Sequence, residues 1–290
     1  MSDGPSQRTE PVIVADRVTY TYPEPNPVRA VANISLTVAA GEFIAIIGRN
    51  GSGKTTFMKM LIGLLRPTSG KLTLLGRDAG RLSVIELSKR VGYVYQNPDR
   101  QIVMDFVKDE IALGPRNQRL ELEEVRSRVA SASTSLGLSA DLESNSFTLS
   151  RGLRQRLAIA SILAMRPPVM LIDEPTTGQD PAGVHRIMAI LRDINENGTT
   201  VILITHDVEL VAAYATRVIA FADGQLLADG TPYEVFAQPD TLRHTAVAIP
   251  PIASLTLKLF GRCCLTVEEA TREYQIKRPL LATQLGGQAG

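Results

Sequence analysis

The chain has 290 residues, 44% hydrophobic and 21% charged, with 31 Lys plus Arg against 30 Asp plus Glu for a formal net charge of +1. Those proportions exclude disordered and fibrous classes and predict an ordinary globular core, as one large domain or a domain with an appendage. Charge this evenly balanced lacks the basic face of a nucleic-acid binder, so no nucleic-acid partner is expected.

In chain order, MSDGPSQRTEPVIVADR sets acids and prolines where an export signal needs a basic stretch and an apolar run, and no export is expected. The β-rich runs 12–22 (VIVADRVTYTY) and 31–38 (VANISLTV) flank a proline turn, YPEPNP. EFIAIIG reads as a strand buried on both faces, and RNGSGK leads from it into TTFMKMLIGLL, whose apolar residues recur at helical spacing. The next strand is VGYVYQ, 91–96. Helices follow over VKDEIALG (107–114), 121–136 and 151–165. VMLIDEP is a short buried strand, followed by a helix over 181–195, the strand TTVILITHD, a helix near 208–215 and the hairpin RVIAFADGQLLADG.

Strands alternating with helices predict a parallel sheet covered on both sides. The strand-free run of about 97–165 reads as an inserted helical subdomain, and 246–290 as a C-terminal extension whose last residues, QLGGQAG, are expected to fray. The adjacent Cys263 and Cys264 close no unstrained disulfide and are too few for a zinc site, so they are expected as reduced, small apolar residues. No run approaches the ~18–20 apolar residues that span a bilayer. Any membrane-embedded part is expected on another chain.

GRNGSGKTT, residues 48–56, satisfies the P-loop pattern between a strand and a helix. Gly48, Gly51 and Gly53 let backbone N–H groups form an anion nest at the helix N-terminus, with Arg49, Asn50, Ser52 and Thr56 completing the loop. Lys54 then reaches the β- and γ-phosphates, and the Thr55 hydroxyl ligates Mg²⁺. Asp173 and Glu174 end a buried strand, where Asp173 suits the metal side and Glu174 an attacking water. Adjacent acids after a strand also serve as caps for the next element, but the upstream P-loop favours the catalytic pairing.

VMLIDEPTTGQDP, with Gln96 after a strand, His206 in VILITHD and LSRGLRQR at 149–156, resembles the ATP-binding cassette (ABC) ATPases over residues 12 to about 236. The resemblance implies an α/β P-loop NTPase with a RecA-like core, a β-rich edge subdomain and the inserted helical subdomain, as an ABC ATPase domain over 12–245. It also implies that Gln96 contacts Mg²⁺ and the attacking water, that His206 contacts the γ-phosphate, that Tyr22 rather than Tyr20 stacks on adenine, and that Asp180 lies in a loop communicating across a dimer. ATP and Mg²⁺ are the implied cofactors. QNPDRQIVMDFVKDEIALGPRN and DGTPYEVFAQPDTLRHTAVAIPPIASLTLKL further resemble ATPase subunits of energy-coupling factor importers for vitamins or transition-metal ions such as cobalt or nickel.

The partners so implied are a second cassette subunit, a transmembrane coupling subunit and a substrate-binding membrane subunit, with this chain peripheral on the cytoplasmic face. NPDRQ is either a proline-started helix cap or, at Asp99, Arg100 and Gln101, a partner contact, and its place in the insert favours the contact. A cassette ATPase of another transporter class and a low-turnover nucleotide-gated subunit are the alternatives.

The family signature Leu-Ser-Gly-Gly-Gln reads here Leu149, Ser150, Arg151, Gly152, Leu153. In the family this loop caps the γ-phosphate held by the other subunit, so Ser150, Arg151 and Gly152 are expected to touch a partner's nucleotide. A cation at a helix N-terminus costs about 0.3–1 kcal/mol, which an anion there would offset. A solvated Arg151 pointing away is the other reading. An altered signature beside an intact catalytic half favours a heterodimer.

Overall fold

The computed structural model describes residues 11–286 except Glu24 and Asn26. Most of the N-terminal stretch read against export, and the last four residues of QLGGQAG, lie outside the described residues.

The chain runs β1 (Pro11–Tyr22), β2 (Val28–Ala39), β3 (Phe43–Ile47), α1 (Lys54–Leu61), β4 (Ser69–Leu74), β5 (Arg77–Asp78), α2 (Val84–Ser88) and β6 (Val91–Val94). It continues through α3 (Val107–Asn117), α4 (Leu122–Ser135), α5 (Arg151–Leu163), β7 (Val169–Asp173), α6 (Pro181–Glu196), β8 (Thr200–Ile204), α7 (Val208–Tyr214), β9 (Arg217–Ala222) and β10 (Gln225–Gly230). The short helices α8 (Pro232–Phe236) and α9 (Pro239–Thr245) precede α10 (Pro251–Phe260) and α11 (Val267–Gly286).

A six-stranded sheet has the order β10-β9-β3-β8-β7-β6, parallel throughout except for the β9–β10 hairpin. A second, antiparallel sheet has the order β2-β1-β4-β5. Alternation along β3 shows how the layers form: Ile44 and Ile46 join the core shared with the antiparallel sheet and α1, whereas Phe43 faces the helices of the opposite side. Ala45 and Ile47 pack with α7, α8 and α9. Every β3 residue is buried, and each fully buried Ile contributes about 1.5–3 kcal/mol relative to exposure.

The helical run has no core of its own. Ile111, Ala132 and Leu157 share one cluster with Val94, Met170 and Ile172 of the sheet and Ile187 of α6. Strands β6, β3, β7 and β8 therefore end together, and their following loops carry the candidate residues at the carboxyl edge of the parallel sheet.

Several expected boundaries shift. Strand β2 begins at Val28, and α3 passes through Pro115 to Asn117. Strand β6 stops at Val94 because the Tyr95 amide leaves the ladder and donates to Gln101 Oε1 at 3.1 Å. The sequence reading omitted β4, β5 and α2; α2 is held by a Ser83–Glu86 capping box over only five residues. Cys263 is half-buried and Cys264 buried, both as free thiols. No helix among the described residues is long and apolar enough to cross a membrane.

Candidate functional site

Between β3 and α1 the chain needs backbone that side chains rarely adopt. Gly48, Gly51 and Gly53 have φ of 148°, 80° and 104°. A Cβ on Gly48 would stand 2.3 Å from the Phe221 carbonyl oxygen, and one on Gly53 2.3 Å from that of Ala30. The loop is thus glycine-dependent twice over, by conformation and by close approach.

No side chain caps α1, and no acid sits in its first turn, so its N–H groups and positive end face the cleft without an internal anion. Lys54 is buried there, its Nζ donating to the carbonyls of Gly48 at 2.6 Å and Arg49 at 2.9 Å and lying 3.4 Å from Ser52 Oγ. Burial pulls its pKa below the usual lysine value, against the opposing pull of Glu174 and Asp173.

The loop opens on a cleft of 860 Å³ that brings together Tyr22, residues 48–56, Gln96, Asp173, Glu174 and His206. Asp173 accepts from the Tyr93 hydroxyl at 2.9 Å, yet burial still raises its carboxyl pKa. Burial also pushes the Tyr93 hydroxyl upward, so it stays a donor. Asp173, Thr55 and Gln96 share this cleft, and their side-chain oxygens are donors of the kind Mg²⁺ takes.

Glu174 is held differently. Its backbone is left-handed at φ 44°, its amide donates to the Ile204 carbonyl at 2.9 Å, and its side chain is only 17% exposed. Glu174 Oε2 accepts from Gln96 Nε2 and from Thr177 Oγ1, each at 3.1 Å, while Oε1 lies 3.2 Å from His206 Nδ1. A strained residue over-determined by four neighbours is the form in which functional sites store strain. Neither acid caps a helix. Asp180 does, accepting from the Gly183 amide at 2.6 Å to start α6.

Tyr22 faces the cleft with its hydroxyl 3.2 Å from Thr56 Oγ1, whereas Tyr20 meets it edge-on from the core side, with ring centroids 4.9 Å apart.

Ser150 and Gly152 are not in this cleft. They line a smaller one with Arg156, Gln179 and Asp180, between α5 and α6. Ser150 Oγ accepts from the Leu153 amide at 3.4 Å as the α5 cap. Arg151 is exposed, with its guanidinium lying over Gly178, where a Cβ would stand 2.9 Å from Cζ. The NPDRQ segment is tied to its own chain at two of the three residues. Gln101 is turned inward, donating to the Ala158 carbonyl at 2.7 Å and lying 3.2 Å from Ser161 Oγ, and Asp99 is paired with Arg154 at 2.8 Å. Both bind this chain's own α5. Only Arg100 of the three has an exposed side chain left out of that tie.

Sequence reasoning missed Tyr93 and Thr177. Alternation along VGYVYQ puts Tyr93 on the opposite face from Val94, against the core beneath the antiparallel sheet, but only the β6–β7 register brings its hydroxyl to Asp173.

The family model described as ABC transporter matches residues 31–177. The energy-coupling factor transporter ATP-binding protein EcfA1 of Symbiobacterium thermophilum is 41% identical over 275 residues, covering 90% of this chain and 96% of that one. A Caldanaerobacter subterraneus protein carrying the name of an ABC transporter ATP-binding protein is 43% identical over 258 residues. The chain spans only 45% of that protein and 38% and 41% of two Methanosarcina relatives. Among solved structures, CbiO1 of Clostridium perfringens, described as part of the ABC transporter complex cbiONQ, superimposes with a TM-score of 0.74 at 32% identity over 85% of this chain and 98% of that one. A dimeric ATP-binding cassette bound to ADP and Pi gives 0.69 at 30% identity, covering 76% and 98%.

Proposed function

The chain belongs to the ABC transporter family, and from that premise we propose that it binds and hydrolyses MgATP as the ATPase subunit of an energy-coupling factor type importer for vitamins or transition-metal ions. The observation that carries the catalytic part is Glu174, half-buried, strained and gripped by Gln96, Thr177 and His206 beside an uncapped P-loop helix.

In this reading MgATP supplies the phosphoanhydride and a divalent charge, with Thr55, Gln96 and Asp173 as the residues that would hold the ion. Lys54 and the loop N–H groups hold the phosphates and stabilise charge that grows on them in the transition state. Tyr22 stacks on the base. Glu174 Oε1 and Oε2 are the sites for the proton of the attacking water, and His206 and Gln96 fix the direction of that carboxylate. Positioning and electrostatics carry the rate, and no covalent enzyme intermediate is required.

Ser150 and Gly152 line a cleft separate from this one, which supports their serving, with the neighbouring Arg151, a partner's nucleotide in a two-cassette assembly. We favour a heterodimer, with a substrate-binding membrane subunit and a coupling subunit on the membrane side. Docking of the coupling subunit falls to the helical run, where Val103, Phe106 and Phe147 are exposed around the Phe106–Asn145 bridge. The ATPase domain extends over 12–245, with its helical subdomain at about 97–165. The assembly lies peripherally on the cytoplasmic face of the membrane.

The test is purification of the tagged chain from detergent-solubilised membranes of its own organism. The proposal expects a second cassette subunit and small polytopic membrane proteins, with solute uptake lost in a Lys54→Ala strain. Recovery of the chain with the membrane subunits of a different transporter class would replace the importer reading and leave the ATPase reading intact.

A further inference from the structure

The nucleotide cleft does not end at the P-loop. Its lining also includes Ala246, Val247 and Ala248, together with Tyr22, Val28 and Ala30. Val28 pairs in register with Tyr22 and, although a large aliphatic side chain, is 57% exposed. Tyr22 and Val28, paired on adjacent strands, thus give the cleft an aromatic and an aliphatic lining side by side. Ala246 and Ala248 contribute only methyl groups to the same cleft.

The alanine wall is built, not loose. The Arg49 amide of the P-loop donates to the Thr245 carbonyl at 2.9 Å, and Thr245 is fully buried with its Oγ1 bonded to the Leu242 carbonyl at 2.7 Å. The Val247 amide donates back to Thr245 Oγ1 at 3.2 Å, and Val247 packs on the cluster that contains Ala45 and Ile47 of β3. Ala246 closes α9 in left-handed backbone at φ 51°, its amide donating to the Arg243 carbonyl. Directly beyond, Pro251 starts α10.

We propose that residues 246–248 form the second wall of the purine pocket, sandwiching the base against Tyr22, so that bound nucleotide joins the P-loop to the C-terminal helices. The proposal rests on the nucleotide reading above and deepens it: the base, not the phosphates, is what the C-terminal extension senses. Occupancy then orders the turn that leads into α10 and couples the nucleotide state to α10 and α11.

Calorimetry on the full chain separates the two contributions, using MgATP and magnesium tripolyphosphate, which has the phosphates without the base. Ala248 is exposed, so Ala248→Glu puts bulk and charge in the pocket without touching the core. The expected result is MgATP affinity lower by about tenfold, equivalent to 1.4 kcal/mol, with tripolyphosphate affinity unchanged. Unchanged MgATP affinity, or an equal loss for both ligands, overturns the wall. A wild-type chain that binds neither ligand removes the nucleotide reading itself. Hydrogen exchange on the wild-type chain is the independent measurement. Amides of residues 246–260 are expected to slow with MgATP and not with tripolyphosphate, and identical exchange with the two ligands overturns the coupling.

Discussion

Asp173 and Glu174 are neighbours in sequence with opposite settings. Burial raises the Asp173 carboxyl pKa in the native state, so folding favours its neutral form. That contribution to stability is fully present below the ordinary carboxylate pKa and is lost as pH rises through the raised native value. At neutral pH the ionised side chain is therefore a local cost, and Asp173→Asn is expected to raise the thermal midpoint of the nucleotide-free chain. The gain should fall in the 0.5–2 kcal/mol range, roughly that of single stabilising changes, and fade on acidification as the wild-type carboxyl also becomes neutral. Thermal unfolding across a pH series checks it; a midpoint lowered at pH 7 would show that the Tyr93 bond outweighs burial. Lys54→Ala should weaken MgATP binding by about 10–100-fold, the loss of a charged hydrogen bond worth about 1.5–3 kcal/mol. Lys54, Asp173 and Glu174 were legible because each is fixed by local spacing in a short motif. Tyr93, Thr177 and the Arg151–Gly178 contact were not, since they depend on strand register and on how two loops meet.

Elements carry the coupling between these residues. Gln101 ties the end of β6, one residue before Gln96, to the middle of α5, whose N-terminus carries Ser150 and Arg151. Gln101→Leu keeps most of the volume but removes bonds that contribute about 0.5–1.5 kcal/mol each. We expect stability lower by about 1–3 kcal/mol in chemical denaturation, together with slower hydrolysis. Wild-type stability with lost partner association would instead restore the contact role that the NPDRQ motif suggested. A glutamine in a polar loop carries no sign of whether it faces a partner or its own helix, so the bonds of Gln101 to α5 were not legible in the sequence. Long periodic elements such as α5 and the apolar strands β3, β7 and β8 were readable from pattern alone. The two-residue β5 and the five-residue α2 are shorter than any period that could reveal them. The capping box at Ser83 and Glu86 was the available signal for α2.

At the scale of the molecule, the proposed catalytic half and the altered signature sit on separate clefts of one chain, in keeping with the two-cassette assembly proposed above. The heterodimer reading expects the isolated chain to hydrolyse ATP slowly and to gain at least tenfold, roughly 1.4 kcal/mol in barrier, when its cognate cassette is added. Full cooperative turnover by the isolated chain, indifferent to Arg151→Gly, would mean that LSRGL is a working signature. The architecture followed from the alternation of strands and helices around the P-loop, whereas the end of the C-terminal connector at the nucleotide cleft depends on long-range packing that no local pattern encodes. The central claim is that Glu174 drives hydrolysis of MgATP held by the P-loop, and it is tested most directly by measuring phosphate release and MgATP affinity together in the assembled complex with Glu174→Gln. The account predicts wild-type affinity with turnover reduced by about 10²–10⁴-fold, the range for loss of a general base; turnover within a few-fold of wild type would contradict it.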